Sequence, residues 1–323
     1  MSSEHRLGGL IGTRVRRALL GDDRNSRRRQ ATAIAQLRRR QEKTTVALGT
    51  LMAHQIAGTA TSIADAEFSV FSQFGEDGII EFILRDGDIT PSTFVEIGVE
   101  TYVEANTRFL AEHRLWRGLI VDRNPSLSRD LGRTNLDWRS QVSAVSAFVT
   151  RETVASIVEP FASHTGIGLL SLDVDGVDYW LLEQLVAFDP AVVIVEYNAL
   201  FGPTSTVTIP YSAAFDRRLP EYHGIYYGAS LAAFVHLLAA HGYSLITCNG
   251  AGNNAFFVRA DRLGALQART ARDAYNPRRF VEHRAIDGAL TGTSDARLQL
   301  CDIRELPLVD VTDGSSTTVA DLL

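Results

Sequence analysis

Near-continuous apolar runs between residues 68 and 260 constrain the fold of this chain more than any other feature. Runs such as LIVD, VVIVE and GLLSLDV lack the alternation of a sheet with one solvated face. They are typical of parallel strands that are covered by helices on both sides. Segments with helical spacing separate the runs, so strands and helices alternate along the chain.

The pattern predicts seven strands, the last two of which flank the turn sequence NGAGNN. The predicted strands are 93–98, 118–122, 141–146, 168–174, 191–197, 243–248 and 254–260. The predicted helices are 77–84, 104–113, 178–188 and 229–241. We therefore expect an α/β fold: a doubly wound, seven-stranded, Rossmann-like sheet with a C-terminal antiparallel hairpin.

Residues 1–65 differ from the rest of the chain in charge and periodicity. Residues 1–45 contain twelve basic and four acidic side chains, a net charge of +8, which leaves −14 for the rest of a chain of net charge −6. Two helical patterns are predicted, 7–19 and 31–57, with the polar stretch GDDRNSRRR between them. The sequence thus predicts a basic helical arm, 1–65, and one domain, 66–323.

Three interpretations of the arm remain open. The apolar positions of its second pattern fit a heptad that Gln41 and Thr44 interrupt, which favours a helix that pairs with a partner or with a second copy. A basic amphipathic helix also suits peripheral contact with an anionic membrane surface. The third interpretation is an arm that packs on its own domain or is partly disordered.

The composition excludes several classes of protein. A strongly acidic domain argues against nucleic acid as the main partner. The chain has only two cysteines, Cys248 and Cys301, which disfavours a disulfide framework or a cysteine zinc site. No apolar run approaches the roughly 20 residues of a membrane span, and the first residues lack the pattern of a secretory signal. We expect a cytoplasmic protein.

The first two predicted strands end in residues that suit a nucleoside cofactor. TFVEIGVETYVEANT places Glu96 and Gly98 at the end of the first strand, and LIVDRN ends the second strand at Asp122. Ligands of open α/β sheets bind at the carboxyl ends of the strands. A glycine in the first turn and an acid on the second strand fit a cofactor whose ribose hydroxyls bond that acid.

The loop after the first strand discriminates between two such cofactors. A dinucleotide needs G-x-G-x-x-G, so that backbone amides approach the pyrophosphate. Here the loop has one glycine and the acids Glu100 and Glu104, which would repel a pyrophosphate. S-adenosylmethionine has no phosphate and carries an ammonium and a sulfonium, so the acidic loop favours it over NAD.

A series of motifs resembles one family. In chain order they are SQFGEDGIIEFIL, TFVEIGVE, NTRFL, WRGLIVDRNP, SLDVDGVDYWLLE, VVIVEYNALFGP, YYGASLAAF and CNGAGNNAFFV. Together they resemble class I S-adenosylmethionine-dependent methyltransferases of the FkbM-like group, over roughly residues 68–260.

The resemblance implies a fold, a cofactor site and an activity. It implies a seven-stranded methyltransferase sheet with the donor over Glu96 and Gly98, next to Asp173, and with Asp122 as the ribose acid. The QFGEDG segment, which contains Gln73, would cover the donor pocket. The group includes O-methyltransferases of sugars and secondary metabolites, but the acceptor is not inherited.

Carboxylates follow two neighbouring strands of the predicted sheet. If the strands ending at Asp173 and Glu196 are neighbours, their side chains lie close enough to share one small cation, or for one to act as a base that the other orients. Asp175 and Asn198 add oxygen ligands that Mg²⁺ accepts. Similar sets bind metal in some sugar and catechol O-methyltransferases, so the resemblance supports this interpretation, but a site without metal remains equally open.

Two further features of the D-x-D-G-x-D stretch have simpler explanations. Asp178 is expected to cap the following helix rather than to bind a ligand. A calcium loop is excluded, because its twelfth position is Gln184 where a bidentate glutamate is needed.

His223, in RRLPEYHGIYYGAS, is the predicted general base if no metal is present. An ordinary surface histidine is the alternative. Asn249, Asn253 and Asn254 are expected to form the hairpin turn.

These residues predict an S-adenosylmethionine-dependent O-methyltransferase acting on a hydroxyl of a sugar, polysaccharide or glycosylated metabolite, with Mg²⁺ as a possible second cofactor. The alternatives are an N-methyltransferase of a small amine and a non-catalytic nucleotide-binding or scaffold protein. A homo-oligomer formed through the arm is a further expectation.

Overall fold

The computed structural model describes the backbone of residues 4–280 and 282–323, and the side chains of residues 29–30, 32–34, 36–280 and 282–323. The chain divides into two units, Met1–Thr50 and Leu51–Leu323. The helix α1 (Glu4–Thr59) is continuous where two helices were predicted. The prediction of a break at GDDRNSRRR was wrong because arginine is a good helix former, and a single glycine costs only about 1 kcal/mol.

The apolar heptad positions of α1 are exposed on the single chain. Ile34, Leu37, Leu48 and Leu51 have exposed fractions between 51% and 65%. In the second unit, Ala53 and Ile56 are buried instead, and the Arg85 guanidinium donates to the Ile56 carbonyl at 2.9 Å. Oligomerisation through the arm stays a prediction.

A seven-stranded sheet in the order β3-β2-β1-β4-β5-β8-β7 forms the centre of the second unit. Its strands are β1 (Thr93–Ile97), β2 (Arg117–Asp122), β3 (Val142–Ser146), β4 (Leu169–Leu172), β5 (Val192–Glu196), β7 (Tyr243–Cys248) and β8 (Asn254–Arg259). β1 to β5 are parallel, and β8 runs antiparallel to both β5 and β7. This arrangement confirms the predicted fold class, including the antiparallel hairpin.

Helices cover the sheet. They are α2 (Glu76–Asp86), α3 (Leu127–Gly132), α4 (Leu136–Arg139), α5 (Val154–Thr165), α6 (Asp178–Leu185), α7 (Leu231–Ala240), α8 (Ala271–Ala274) and α9 (Ala296–Asp302). Val95 and Ile97 of β1 belong to the core that contains the apolar faces of α5, α6 and α7. Because side chains alternate along a strand, Glu96 points to the opposite face. Among the described helices, none is both long enough and apolar enough to cross a membrane.

The predicted helix 104–113 begins later than expected. Residues 101–107 form turns, and a π-helical turn covers Leu110–Arg114. The reason is local: the Glu96 carboxylate accepts the backbone N–H groups of Asn106 and Thr107, and so fixes where the helical turn can start. The helix α5 was missed by the sequence analysis; it contains Pro160, a residue that normally disfavours a helix interior.

The region beyond residue 260 also returns to the domain. β9 (Pro307–Asp310) lies between β10 (Ser316–Thr318) and β6 (Val207–Thr208) in a second, three-stranded antiparallel sheet. Leu300, Ile303, Leu308 and Val319 are buried in the same core as α6 and α7. The motifs that resemble methyltransferases end at residue 260, but the core of the domain does not.

The order of the strands reverses at β1, which pairs with β2 on one side and with β4 on the other. Gly98 follows β1 with a φ of +90°, and a Cβ atom at this position would come within 1.6 Å of the Asp173 carbonyl oxygen. The backbone after β1 therefore touches the backbone after β4. In open α/β sheets this reversal point is where ligands bind.

Substituting Gly98 tests how strictly this contact is required. Gly98→Ala should lower the free energy of unfolding by more than about 3 kcal/mol, because backbone must move to admit the methyl group. Gly202→Ala is the matched control: its φ is +75°, but its Cβ would meet no atom within 4 Å in the described part of the chain. The control should cost about 1–3 kcal/mol from backbone strain alone, because its φ of 75° and ψ of 176° favour glycine. If urea unfolding shows that both variants lose the same free energy of unfolding, the close contact between Gly98 and the Asp173 carbonyl is contradicted.

Candidate active site

A cleft of about 890 Å³ opens at the carboxyl ends of β1, β2, β4 and β5. All but one of the predicted site residues line it: Gln73, Glu96, Gly98, Asp122, Asp173, Asp175, Glu196 and His223. Cofactor pockets in proteins have volumes of roughly 300–1,000 Å³. The cleft is therefore large enough for a nucleoside cofactor.

The loop after β1 has the backbone of a glycine-rich turn without the glycines. Glu100 and Tyr102 have φ values of 48° and 58°, a left-handed conformation that glycine adopts most easily. The Glu100 amide donates to the Asp122 carboxylate at 2.8 Å. This amide is thus used within the protein, and the Glu100 and Glu104 side chains add negative charge to the cleft wall.

Glu96 holds the loop in place from the buried face of β1. One carboxylate oxygen accepts the Asn106 amide at 2.8 Å, and the other accepts the Thr107 amide at 3.0 Å together with the Thr107 hydroxyl. Burial raises the pKa of Glu96 to about 7, against the opposing effect of these hydrogen bonds. Its contacts are within the protein, and a direct contact with a donor stays a prediction.

Asp122 connects the ends of β1 and β2. Its two oxygens accept the amides of Glu100 at 2.8 Å and Asn124 at 2.7 Å. Each carboxylate oxygen has a second lone pair, which leaves Asp122 able to accept ribose hydroxyls from the cleft. Its role as the ribose acid stays a prediction.

The QFGEDG segment places Gln73 on the cleft wall, with the side chain exposed. Two buried carboxylates that the sequence analysis did not single out hold the segment. Asp77 accepts the amides of Val70, Phe71 and Ser72 at 2.7–2.9 Å. The sequence did contain a sign of their role, because Glu76 and Asp77 are acids that stand next to an apolar stretch.

Glu76 connects this segment to the β7–β8 hairpin. It accepts the carboxamide N–H groups of Asn249 at 2.7 Å and Asn254 at 2.9 Å. The Asn249 carboxamide oxygen accepts the amides of Gly252, Asn253 and Asn254, each at 3.1 Å. These bonds agree with the predicted turn and join it to the cover of the cleft.

Three carboxylates meet at the bottom of the cleft. Asp173, Asp175 and Glu196 each present an oxygen within 4.8 Å of the others. Burial and mutual repulsion raise the pKa values of Asp173 and Glu196 well above the usual range. The buried Glu196 Oε2 has no hydrogen-bond partner among the described residues. The structure thus brings together the acids that the strand ends predicted.

Arg217 balances part of this negative charge and was not identified from the sequence. Its guanidinium forms ion pairs with Asp175 and, at 3.2 Å, with Glu282, and lies 4.9 Å from the centre of the Tyr227 ring. The residue comes from a loop, where periodicity gives no signal.

Asn198 is not brought to the cluster. Its amide nitrogen donates to the carbonyls of Ile225 at 2.8 Å and Tyr227 at 3.0 Å, and its oxygen accepts the Leu200 amide at 3.1 Å. The side chain is fully buried and holds two loops together. This geometry leaves it no orientation for a metal in the cleft.

As expected, Asp178 has a structural role, but it does not occupy the capping position before the helix. It is the first residue of α6, and its carboxylate accepts the amides of Val174 at 2.8 Å and Gly176 at 2.9 Å from the preceding turn. Burial raises its pKa to about 6. The residue shapes the turn that carries Asp173 and Asp175.

His223 lies on the wall of the cleft with one nitrogen fixed. Its Nδ1 is 2.7 Å from the Arg284 carbonyl oxygen, which can only accept, so Nδ1 carries the proton. The Nε2 atom is then an acceptor, as a general base or a metal ligand requires.

Comparison with known proteins adds little to this geometry. No family model and no curated protein matches the chain. It is similar to the solved structure of an O-methyltransferase from neocarzinostatin biosynthesis, in complex with S-adenosylmethionine and 2-hydroxy-5-methyl naphthoic acid. Identity is 16% and the TM-score 0.34, over 66% of this chain and 56% of that one.

Two further solved structures show the same level of similarity. An O-methyltransferase from Bacillus cereus in complex with SAH has 15% identity and a TM-score of 0.35, over 66% of this chain and 89% of that one. An O-methyltransferase from Streptomyces achromogenes involved in tomaymycin synthesis, in complex with SAM, has 16% identity and a TM-score of 0.33, over 66% and 87%. The chain spans little more than half of the neocarzinostatin enzyme. The activities of these proteins are not transferred to it, and the FkbM-like resemblance stays a resemblance.

The buried Asp77 predicts a pH-dependent stability. Burial raises its pKa from 3.8 to about 6, so the folded state retains a proton that the unfolded chain releases. The stability that this bound proton contributes to the folded state is fully present below about pH 4 and is lost as the pH rises through about 6. Asp77→Asn keeps the accepting oxygen and removes the titration. Between pH 4 and pH 7, the free energy of unfolding of the variant, measured in urea, should therefore increase by about 1–3 kcal/mol relative to that of the wild type.

Asp137→Asn, an exposed change on α4, controls for the lost charge. A difference between Asp77→Asn and wild type that does not vary with pH would contradict the prediction.

Proposed function

We propose that this protein is an S-adenosylmethionine-dependent O-methyltransferase. One observation carries the proposal: an acidic loop at the reversal point of the sheet lies in the same cleft as the cluster Asp173, Asp175 and Glu196. The loop suits a cationic donor, and the cluster suits an acceptor hydroxyl. When bound, the donor supplies an electrophilic methyl group.

The donor side of the cleft supports this choice over a dinucleotide. The Glu100 amide donates to Asp122 and is used within the protein, while Glu100 and Glu104 line the cleft. Carboxylates at this place repel a pyrophosphate and attract an ammonium or a sulfonium. Asp122 would bind the ribose, and Gln73 would cover the donor.

Phe148 suits the base of the donor. It follows β3, lines the cleft, and is 55% exposed, which is unusual for a large aromatic side chain. An aromatic ring at this position would pack against the adenine. The residue was missed by the sequence analysis, because an exposed phenylalanine in a loop gives no periodic signal.

On the acceptor side, we propose that Asp173 and Glu196 remove the hydroxyl proton as a pair. Two carboxylates this close cannot both ionise at their usual pKa, so they share a proton and titrate together. A raised pKa makes the ionised member a stronger base near neutral pH. The buried Glu196 Oε2 is then a suitable acceptor for the hydroxyl proton, and Arg217 fixes Asp175 beside it. His223 is the alternative base.

The same three carboxylates fit a magnesium ion. Their oxygens lie within 4.8 Å of one another, and Mg²⁺ prefers one or two carboxylates together with water. Asp173, Asp175 and Glu196 would hold the ion, and a bound divalent ion lowers the pKa of an alcohol. Asp175 would then share its charge between the ion and Arg217.

For the acceptor we propose a saccharide or a glycosylated metabolite. Beyond the cluster, the cleft is lined by charged side chains that include Arg217, Glu282 and Arg284. Such groups can donate to and accept from several hydroxyls of one acceptor.

Donor binding is the first test. Calorimetry should detect S-adenosylmethionine binding to the wild type, and Asp122→Ala and Phe148→Ala should each weaken it about tenfold, since each removes one recognition contact worth about 1.4 kcal/mol. Asp137→Ala is the exposed control and should bind like the wild type. If no binding is detected at sub-millimolar S-adenosylmethionine, the proposal of an enzyme is wrong, and the alternative of a non-catalytic scaffold protein remains.

Glu196→Gln tests the proton-accepting pair. Its turnover should fall about 100-fold or more, with donor affinity retained, because general base catalysis contributes about 10²–10⁴ in rate. In the wild type, turnover should fall with decreasing pH well above the usual carboxylate range, since the base must be ionised. If His223→Gln abolishes this pH dependence and Glu196→Gln does not, the base is His223.

Chelation tests the magnesium ion. Turnover should fall after EDTA treatment and return with Mg²⁺ in the wild type, but not in Asp173→Asn. Unchanged turnover after chelation would remove Mg²⁺ from the mechanism while leaving the donor site intact.

A further inference from the structure

We propose that His223, His283 and Asp302 form a binding site for a divalent transition-metal ion such as Zn²⁺. The site is separate from the carboxylate cluster and lies at the outer edge of the cleft. Each of the three residues presents a ligand atom within 4.8 Å of the other two. Two imidazoles and one carboxylate form a ligand set that suits Zn²⁺ and neighbouring transition metals, whereas Mg²⁺ and Ca²⁺ prefer oxygen alone.

The distance between two of the ligands fits a shared ion. His283 Nε2 lies 3.2 Å from Asp302 Oδ2. Two ligands held at about 2.0–2.1 Å in a tetrahedral site are separated by about 3.3 Å. A divalent ion therefore fits at this corner with little movement of either side chain.

His283 Nε2 is the atom that most requires a partner. The residue is only 3% exposed, and among the described residues the contact of this nitrogen is the one with Asp302 at 3.2 Å, which is not a well-formed hydrogen bond. Burying a polar atom without a hydrogen bond costs about 1–3 kcal/mol. A metal ion would satisfy it.

The opposite nitrogens of both histidines are already oriented. His223 Nδ1 lies 2.7 Å from the Arg284 carbonyl, and His283 Nδ1 lies 2.8 Å from the Thr291 hydroxyl. Metal-binding histidines commonly use their second nitrogen in this way, which fixes the ring and directs the other nitrogen to the ion.

The three ligands come from separate parts of the domain that the backbone already holds together. His223 follows the turn Pro220–Tyr222, His283 begins a short hairpin, and Asp302 is the last residue of α9. The Arg284 amide donates to the His223 carbonyl at 3.0 Å, and the Thr291 amide donates to the His283 carbonyl at 2.9 Å. The backbones of the two histidine ligands are thus held together before any ion binds.

The site adjoins a second cavity of about 580 Å³, lined in part by His223, Thr291 and Asp302. With three protein ligands, a fourth position remains for water or for a group of the acceptor. The ion would also fix Glu282, next to His283, and through it Arg217 on the cleft wall. His223 would then act as a ligand and not as the base.

Metal titration of the full-length protein tests the site. Protein freed of any histidine tag and treated with EDTA is titrated with Zn²⁺ by calorimetry and with Co²⁺ by visible absorption. With excess Mg²⁺ present to occupy the carboxylate cluster, we expect one equivalent of each, with a d–d spectrum of nitrogen and oxygen ligation. His223→Gln, His283→Gln and Asp302→Asn should each weaken binding at least about tenfold, and Thr291→Val about tenfold through the orientation of His283.

Controls separate this site from the rest of the cleft. His241→Gln, exposed at the end of α7, should bind like the wild type, and so should Glu196→Gln, which alters the carboxylate cluster. Because the Asp302 side chain is half-exposed, Asp302→Asn should fold normally. It therefore tests metal binding even if His283→Gln fails to fold. Zn²⁺ should raise the Tm of the wild type and not of Asp302→Asn.

Two results would overturn the proposal: no stoichiometric Zn²⁺ or Co²⁺ binding by the wild type, or binding that the three ligand variants leave unchanged. The first would leave His283 and Asp302 as an ordinary ion pair. Neither result bears on donor binding, so failure of this site and failure of the methyltransferase proposal are distinguishable.

Discussion

The pairing of β1 with β4 determines where the chemistry of this protein is located. The Asp173 amide donates to the Ile97 carbonyl at 3.0 Å, and the next residue of β1 is a glycine whose missing side chain lets the two backbones touch. Parallel strands that end together bring their following residues to one edge. The loop after β1 and the carboxylate cluster are close to one another for this reason, and Asp122 at the end of β2 lines the same cleft.

Buried carboxylates perform the structural work around the cleft that glycines or caps perform in other sheets. Asp77, Glu96, Asp122 and Asp178 each accept two or more backbone amides from a neighbouring turn. An ionised or shared acid makes stronger hydrogen bonds to N–H groups than a neutral acceptor. The cost is desolvation, which raises the pKa values of Asp77, Glu96 and Asp178. Acids in this region therefore have two uses: these four hold turns in place, whereas Asp173, Asp175 and Glu196 form the cluster at the bottom of the cleft.

The sheet was predictable from the sequence because its strands are near-continuous apolar runs separated by segments with helical spacing. The placement of Asp173 and Glu196 followed from it, since strand ends need only the strand order. Asn198 shows the limit: its position after β5 is correct, but the loop carbonyls of Ile225 and Tyr227 bind its amide, and contacts between distant loops have no sequence signal. Arg217, Phe148 and His283 were missed for the same reason, because tertiary packing alone brings Arg217 and Phe148 to the cleft and His283 next to Asp302.

The last part of the chain, from residue 261 on, lies outside the motifs that resemble methyltransferases and yet forms one wall of the cleft. Glu282, Arg284 and Ile286 line the cleft that the loop after β1 also lines, and β9 pairs with β6. The two halves of the cleft are thus encoded in separate stretches of sequence. Under the proposed function, substitutions, insertions or exchange of the terminal stretch would change which acceptor is selected without altering the residues at the ends of β1 and β2.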